Sequence, residues 1–240
     1  TSLMEFAVLR YNPGGGLDTT FSGDGIATTI IGSGHSQALA ATVQADGRIV
    51  AVGVSSNATN KDFALARYLA DGSLDATFSN DGRHRASVSA GDDRALAVAV
   101  QPADSKIIVA GSGSDGAEFI LARYNADSSP DTTFGTAGIV STPTTVSSEA
   151  SYAMVLQAGD GKIVVASKAL VGASQVTVTR YNVDGSADLT FNGGVPLALP
   201  LTVQQATATL AAHADGRIAL VQHSGVGATA QFTVLDYLVY

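Results

Sequence analysis

The sequence predicts an all-β protein made of about four tandem units of roughly 56 residues each. Three kinds of marker recur in register along the chain: a strand that ends in Arg-Tyr, a turn that contains Asp, and a hairpin that contains Asp-Gly. Self-similarity at a fixed period is the signature of a repeat architecture. The apolar residues show no 3.6-residue periodicity, which argues against helical repeats.

The first marker is an apolar strand that usually begins with an aromatic residue. Its copies occupy residues 6–11, 63–68, 119–124, the looser 176–181 and finally 232–237. The last copy carries Asp236 where the other four carry arginine, and the intervals between these equivalent positions are 57, 56, 57 and 56 residues. So constant an interval predicts that each copy occupies the same place in successive structural units.

The other two markers are turns. The sequence Leu-Asp-Thr-Thr-Phe at residues 17–21 recurs in variant form at 74–78, 130–134 and 187–191. The sequence Gln-Ala-Asp-Gly-Arg-Ile at residues 44–49 recurs at 101–107, 157–163 and 213–218. Asp-Gly between two β-rich segments indicates a tight hairpin, because glycine accepts a positive φ without a Cβ clash.

Each unit contains four short segments of strand character, which in the first unit are residues 26–31, 38–43, 49–54 and 63–68. Four strands separated by turns are typical of one blade of a β-propeller. The predicted architecture is therefore β-propeller-like, with about four four-stranded blades in a single repeat domain over residues 1–240. The units run approximately over 12–68, 69–124, 125–181 and 182–237, and residues 1–11 belong to a partial preceding unit.

One strand is surplus, because the Arg-Tyr strand occurs five times and the other three strand types occur four times. An unpaired strand is a template for another chain. We therefore expect one of the two terminal copies to join protomers head-to-tail into assemblies or filaments. A fragment of a longer propeller and a closed monomer are the alternatives. The residues that mark the two candidate assembly strands are Phe6, Leu9, Tyr11, Phe232, Val234 and Tyr237.

An arginine at the end of each strand is followed eight residues later by an aspartate. The pairs are Arg10 with Asp18, Arg67 with Asp75, Arg123 with Asp131, and Arg180 with Asp188. A charge in an apolar strand is tolerated when it is paired and hydrogen-bonded, so we predict a structural tie between strand end and turn. The alternative is a ring of arginines around a channel that captures an anion.

Oxygen-bearing side chains alternate in the same turns, which is also a feature of calcium loops. The candidate ligands are Asp71, Asp75, Asn125, Asp127, Asp131, Asn182, Asp184 and Asp188. Asx-turns explain the same residues without a metal. We expect no cofactor, and calcium is the one candidate that the pattern leaves open.

Composition narrows the classes of partner. The net charge is −8 with only 13 basic residues, so the chain lacks the clustered positive charge that nucleic-acid binding requires. No apolar segment reaches the roughly 18 residues of a membrane helix. The absence of cysteine does not decide the compartment, but charged residues make up only 14%, from which we expect an extracellular or cell-surface setting. The expected partners are other copies of the chain, surface proteins or glycans.

The combined pattern resembles the delta-60 repeat family of bacterial β-propeller domains. The resemblance rests on the Arg-Tyr strand, the Asp-Gly-Ser-Leu-Asp turn at 71–75 and the Gln-x-Asp-Gly hairpin, and it covers nearly the whole chain. It implies a propeller-like fold in exported or surface-associated proteins. It implies no activity, because the family is itself largely of unknown function.

The expected function is therefore that of a non-catalytic structural or adhesive module. A carbohydrate-binding propeller is one alternative, since the recurring aromatic rings could offer sugar platforms as well as fill the space between blades. A hydrolase or lyase with a site in the central channel is the other, and it would need a polar cluster such as His35, His84 and Glu149. The sequence contains no nucleophile elbow, P-loop or dinucleotide-binding fingerprint.

Overall fold

A computed structural model describes residues 3–143, 152–171, 173–200, 208–224 and 231–237 of the 240-residue chain. Within these ranges the chain forms 17 β-strands and two three-residue 3₁₀ turns, Ser114–Gly116 and Asn192–Gly194. No helix in the described part of the chain has the length and apolar character of a membrane span. The prediction of an all-β chain is confirmed.

The strands are short and follow one another through tight turns. In chain order they are β1 (Phe6–Leu9), β2 (Ile26–Thr29), β3 (Ser36–Val43), β4 (Ile49–Ser56), β5 (Lys61–Tyr68), β6 (Arg83–Ala86), β7 (Arg94–Val100), β8 (Ile107–Gly113), β9 (Glu118–Tyr124), β10 (Ile139–Pro143), β11 (Tyr152–Leu156), β12 (Ile163–Val171), β13 (Ala173–Tyr181), β14 (Leu197–Pro200), β15 (Ala208–Ala212), β16 (Ile218–Ser224) and β17 (Gln231–Tyr237).

Three sheets have four strands each, in the orders β3-β4-β5-β6, β10-β9-β8-β7 and β11-β12-β13-β14. Sequential strands are neighbours, so each sheet is an antiparallel meander of the kind expected for a blade. Two smaller sheets, β1-β2 and β15-β16-β17, stand at the ends. Each four-stranded sheet ends with the strand after the Arg-Tyr strand, whereas the repeat units read from the sequence end with the Arg-Tyr strand itself. The sheets and the sequence units are therefore offset by one strand. A periodic sequence has no intrinsic starting point, so the sequence alone does not fix this boundary.

The four strand types are unequally represented among the described residues. The Arg-Tyr strand is the third strand of a blade and occurs five times, as β1, β5, β9, β13 and β17. The first, second and fourth types occur four times each. The surplus strand that the repeat count predicts is therefore present in the fold.

By its internal contacts the chain divides into two compact units. One comprises Thr1–Val109 with Arg123–Pro130, and the other comprises Ala110–Ala122 with Asp131–Tyr240. The single domain expected over residues 1–240 stays a prediction.

Neighbouring sheets bury apolar side chains against each other within each unit. In the first unit, β1, β2 and the turn between them pack on the β3–β6 sheet through Phe6, Phe21, Ala27, Ile31, Ala51, Ala64, Ala66 and Tyr68. In the second unit, the β11–β14 sheet packs against β15 and β16 through Val164, Ala166, Val176, Val178, Phe191, Ile218 and Leu220. Since apolar burial is the main favourable term in folding, stacking of adjacent sheets stabilises repeats that could not bury their faces alone.

A phenylalanine from one repeat packs on a glycine in the turn of the next. Phe21 is fully buried beside Gly72, whose φ is +88°. A Cβ placed on Gly72 would lie 2.7 Å from the backbone nitrogen of Ser22 and 3.0 Å from Phe21 Cδ2. Phe134 and Gly185 repeat this contact in the second unit, where a Cβ on Gly185 would lie 2.9 Å from Phe134 Cε2. The interface therefore needs glycine for close approach as well as for its backbone conformation.

A tyrosine hydroxyl supplies the polar contact at the same kind of interface. Tyr68 Oη donates to Thr29 Oγ1 at 2.8 Å, and the Tyr181 hydroxyl is hydrogen-bonded to Thr142. The equivalent of these threonines on β6 is Ala86, because all three lie opposite the phenylalanine of the neighbouring third strand. The buried Tyr124 hydroxyl consequently has no hydrogen-bond partner among the described residues, and burial raises the pKa of Tyr124.

Gly72→Ala is expected to destabilise the protein more than Gly47→Ala. Both glycines have φ near +85°, being +88° and +85°, but a Cβ on Gly47 would meet only Ala70 Cβ at 3.7 Å. The left-handed backbone costs alanine about 1–2 kcal/mol at either position, and overpacking adds about 1–3 kcal/mol at Gly72. Urea unfolding of both variants measures the difference, and equal losses would contradict the close-approach explanation.

Tyr68→Phe and Tyr124→Phe are expected to differ although the substitution is the same. Tyr68→Phe removes a hydrogen bond and should cost about 0.5–1.5 kcal/mol, whereas Tyr124→Phe removes an unsatisfied hydroxyl and should cost nothing. Ala86→Thr should stabilise the parent protein and have no such effect in the Tyr124→Phe background. Chemical denaturation of the four variants tests this, and a large loss in Tyr124→Phe would show that its hydroxyl has a partner.

Candidate functional site

The polar site that recurs along the chain lies where the third strand ends. Arg67 is the next-to-last residue of β5. The backbone N–H of Asp75 donates to the carbonyl of Arg67 at 2.9 Å. This backbone contact brings the two side chains together. Arg67 Nε donates to Asp75 Oδ2 at 2.8 Å, and the side chains are only 6% and 3% exposed.

The structure brings arginine and aspartate together in the same way in two other repeats. Arg10 Nε donates to Asp18 Oδ2 at 2.8 Å, and Arg180 Nε donates to Asp188 Oδ2 at 2.5 Å. Arg123 and Asp131 are each 4% exposed, and Arg123 Nη1 donates to Gln101 Oε1 at 3.4 Å. The eight-residue spacing in the sequence thus corresponds to an ion pair at a strand end, which is buried for Arg67 and Arg180 and half-buried for Arg10.

A threonine two residues after the aspartate completes the pair. The backbone N–H and the hydroxyl of Thr77 donate to Asp75 Oδ1 at 3.0 and 2.7 Å, and Arg67 Nη2 donates to Thr77 Oγ1 at 2.9 Å. The guanidinium also lies over the ring of Phe78, with 4.9 Å between Cζ and the ring centroid, which is a cation–π contact. Thr20 and Thr190 occupy the same position in their repeats.

A second cation reaches the same carboxylate from the hairpin between the first two strands. Arg48 Nε lies 2.9 Å from Asp75 Oδ2, and Lys162 Nζ lies 2.9 Å from Asp188 Oδ2. Sequence reasoning missed this residue and the threonine. The sequence contains both signals. A basic residue stands directly before the isoleucine that ends each hairpin marker, and a threonine lies two positions after the aspartate of each Arg–Asp pair.

The arginine also connects consecutive repeats. Arg67 Nη1 donates to the carbonyl oxygen of Ala126, and Arg10 Nη1 donates to that of Ala70. Both acceptors lie in the turn after the third strand of the following repeat. One guanidinium therefore holds a strand end, its own turn and the neighbouring turn together.

The charge state of the site follows from these contacts. Burial acts to raise the pKa of Asp75, but hydrogen bonds from Thr77 and the adjacent Arg67 outweigh it, so the pKa lies below its ordinary value. The pKa of Asp188 is lowered in the same way, with Lys162 among the donors. These carboxylates are ionised and saturated with donors at neutral pH, so the arrangement fixes structure and offers no proton for acid–base chemistry.

The candidate calcium ligands in these turns have close protein partners. Oδ1 of Asp71 accepts from the N–H and hydroxyl of Ser73 at 2.9 and 2.6 Å. Asp127 accepts from Ser129 and Asp184 from Ser186 in the same geometry, while the amides of Asn125 and Asn182 donate to those serine hydroxyls.

Asx-turns therefore account for these oxygen-bearing side chains. The residues that the structure describes contain no group of three or more His, Cys, Asp or Glu side chains able to hold a metal ion. The expectation of no cofactor, with calcium as the one candidate left open, stays a prediction.

The residues considered for a catalytic centre have unrelated surroundings. His35 Nδ1 accepts from the backbone N–H of Met4 at 2.9 Å. The ring of His84 contacts those of Phe78 and Tyr124 edge-on, at centroid distances of 6.3 and 5.3 Å, and burial lowers the pKa of His84. Glu149 lies outside the described residues.

The recurring phenylalanines offer no exposed ring to a sugar. Phe21, Phe78 and Phe134 are fully buried, and Phe191 is 9% exposed. Their place is inside the sheets' packed interfaces, which supports the space-filling interpretation.

The structure describes the side chains of β1 but only the backbone of β17, the two candidate assembly strands. In β1, Phe6 is buried while Leu9 is 45% exposed, and Tyr11 just beyond the strand is 59% exposed. In β17 the backbone pairs with β16, and the side chains of Phe232, Val234 and Tyr237 lie outside the described residues.

A family profile whose description reads "Domain of unknown function (DUF5122) beta-propeller" matches residues 44–78, 103–134 and 158–191. The first and last segments each run from the hairpin that bears the second cation, through the arginine and aspartate, to the phenylalanine of the turn. Three successive repeats of this chain therefore match the model of that family. It is the delta-60 type of repeat, so the resemblance and the β-propeller fold class are confirmed. A search of curated proteins finds no match.

Asp75→Asn is expected to destabilise the protein by about 3–5 kcal/mol at neutral pH, because it leaves two cations without their buried counter-charge. Asp46→Asn is the matched control. The Asp46 carboxyl is 48% exposed and paired with Arg48, so its loss should cost about 0–1 kcal/mol.

The cost of Asp75→Asn should also depend on pH. Because the folded-state pKa lies below the ordinary value of about 3.9, the contribution of Asp75 is present above that value and is lost as pH falls through the lower, folded-state pKa. The stability difference between parent and variant should thus shrink below about pH 4. Denaturant unfolding across pH measures it, and a difference that does not change with pH would contradict the assignment.

Proposed function

We propose that this chain is a non-catalytic structural module that assembles head-to-tail with further copies of itself through its incomplete end sheets. The proposal rests on a tyrosine at the end of the third strand, which is buried in the complete blades and exposed just beyond β1. Tyr68, Tyr124 and Tyr181 are 1%, 3% and 6% exposed, whereas the equivalent Tyr11 is 59% exposed.

The exposed face of the β1–β2 sheet carries apolar and aromatic side chains, as do the faces of other sheets that a neighbouring sheet covers. Leu9 is 45% exposed, while Ala66 and Ala122, which occupy its place in β5 and β9, are 0% and 1% exposed. In the first unit, Tyr68 is covered by β2 of the preceding repeat. The repeat itself thus shows what fits beside Tyr11, namely another sheet of the same type.

The two end sheets are complementary in strand type. The β1–β2 sheet provides third and fourth strands, and the β15-β16-β17 sheet provides first, second and third strands. Among the described strands, β1 has no second-type neighbour of the kind that β4 gives to β5. Edge strands pair readily with another chain. A complete blade results when β1 of one copy takes the place of β17 beside β16 of another.

The charges of the end sheets are complementary as well. In complete blades the buried aspartate meets a basic residue from the hairpin between the first and second strands, as Asp75 meets Arg48. Within the described residues Asp18 has Arg10 as its ion-pair partner, and Arg217 stands at the hairpin position that Arg48 holds. Joining the two sheets would bring Arg217 to Asp18 and complete the recurring site.

The low fraction of charged residues, 14%, supports an extracellular or cell-surface setting in a bacterium for this module. Its partners would be other copies or surface proteins. A contact that repeats head-to-tail without closing produces filaments, and one that closes produces rings.

Engineered cysteines at Val8 and Val221 test the proposed pairing on a chain that has no native cysteine. Val52 lies opposite Leu65 in the β3–β6 sheet, and Val221 and Val8 are the equivalent positions of β16 and β1. Cα atoms of paired residues lie about 4.5–5.5 Å apart, which a disulfide can span. We expect oxidation to give a ladder of cross-linked chains in non-reducing gels, with a higher yield when residues 231–240 are deleted.

The double variant with cysteines at Val221 and Val234 is the control, because these residues face each other within one chain. It should give an internal disulfide and no ladder. A Val8 and Val221 variant that forms only an internal disulfide would indicate closure within one chain, and one that forms none would indicate that β1 does not pair with β16. Either result contradicts head-to-tail assembly.

A further inference from the structure

Within each unit, the turns that follow successive third strands contact one another in one recurring way. The residue directly after the turn phenylalanine of one repeat donates its backbone N–H to a carbonyl in the turn of the next repeat. The donors and acceptors are Ser22 and Asp71 at 2.7 Å, Ser79 and Asp127 at 3.0 Å, and Gly135 and Asp184 at 3.0 Å. In the first of these contacts Phe21 also packs on Gly72, the residue after the acceptor. A turn of this type therefore has a donor side and an acceptor side.

The turn of residues 12–17 has an acceptor side that no described residue covers. Gly14 and Gly15 hold the positions of Asp71 and Gly72 in this turn. The carbonyl oxygen of Gly14 accepts no hydrogen bond from a described residue, and both glycines are exposed. Gly15 has a φ of +86°, close to the +88° of Gly72, but a Cβ on it would meet nothing within 4 Å. The turn thus has the backbone conformation of an acceptor turn, with open space where Gly72 meets a phenylalanine ring.

The turn after β13 has the complementary donor side. Phe191 holds the position of Phe21, and the backbone N–H of Asn192 directly after it has no acceptor among the described residues. The phenylalanines of the three earlier turns are 0% exposed, whereas Phe191 is 9% exposed. Leu189 and Val195 of the same turn are 74% and 58% exposed. This turn therefore offers an exposed donor together with apolar surface, whose burial favours association.

We propose that the turn of residues 12–17 in one copy docks on the turn of residues 182–195 in a second copy of the chain. In this contact the N–H of Asn192 donates to the carbonyl of Gly14, and the ring of Phe191 packs on Gly15. The inference rests on the proposed function, because pairing β1 of one copy with β16 of another makes β1 the third strand that follows β13. Turns of successive third strands are in contact, as those after β1 and β5 show. The turns thus add a second contact to the pairing of the strands.

Gly15→Asn tests this contact in the full chain that carries Val8→Cys and Val221→Cys. Asparagine adopts a left-handed backbone more readily than most residues, and a Cβ at Gly15 has open space in the single chain. The variant should therefore fold as its parent does. Its carboxamide should obstruct the approach of Phe191 from the second copy. Overpacking of this kind should slow the initial rate of cross-linking between chains about tenfold.

Gly23→Asn is the matched control, because Gly23 has a φ of +85° and equally open surroundings but lies outside the proposed contact. It should leave the cross-linking rate unchanged, and both variants should keep the thermal unfolding temperature of the parent.

Three results would overturn the turn contact while the pairing of β1 with β16 stands. They are an unchanged rate in Gly15→Asn, an equal slowing in both variants, and a lower unfolding temperature in Gly15→Asn alone, which would show that Gly15 already packs against its own chain. A parent that forms no ladder of cross-linked chains would overturn the assembly itself, and the turn contact with it.

Discussion

Burial of an ionised carboxylate at the end of a strand is the constraint around which each repeat is organised. Asp75 is taken out of water together with Arg67, and charges are stable there only when donors surround them. Thr77 and Arg48 meet that need for Asp75, and the ring of Phe78 packs against the guanidinium of Arg67. The number of residues between the hairpin, the strand and the turn must therefore stay nearly constant from one repeat to the next. This explains why the three markers recur in register.

The sequence was sufficient to predict contacts between residues that are close along the chain. It did not reveal contacts between residues that only the pairing of strands brings together. The eight-residue interval was enough to pair Arg67 with Asp75, because strand and turn are close along the chain. Arg48 lies 27 positions before Asp75, so its approach is visible only when β4 and β5 are placed side by side. The same holds for Thr29, whose role became visible once its position opposite Phe6 was known.

The copies differ most where identical residues choose different partners. Gln44 and Gln157 hold equivalent places, yet the oxygen of one is bonded to an arginine and that of the other is not. The hairpins that follow them differ in length, since the backbone N–H of Gln44 donates to Arg48, four residues on, and that of Gln157 donates to Lys162, five residues on. The repeats thus differ locally in this hairpin while the second and third strands keep the same register, with Ile49 opposite Tyr68 and Ile163 opposite Tyr181.

Several hydrogen bonds between consecutive turns of the described residues point forward along the chain. Donors on the earlier repeat meet carbonyls on the later one in the bonds Arg10 to Ala70, Ser22 to Asp71, Arg67 to Ala126, Ser79 to Asp127 and Gly135 to Asp184. During synthesis the earlier repeat leaves the ribosome first and waits with its donors exposed. Each new repeat then supplies the acceptors, so the turn of one repeat is completed only when the next repeat is in place.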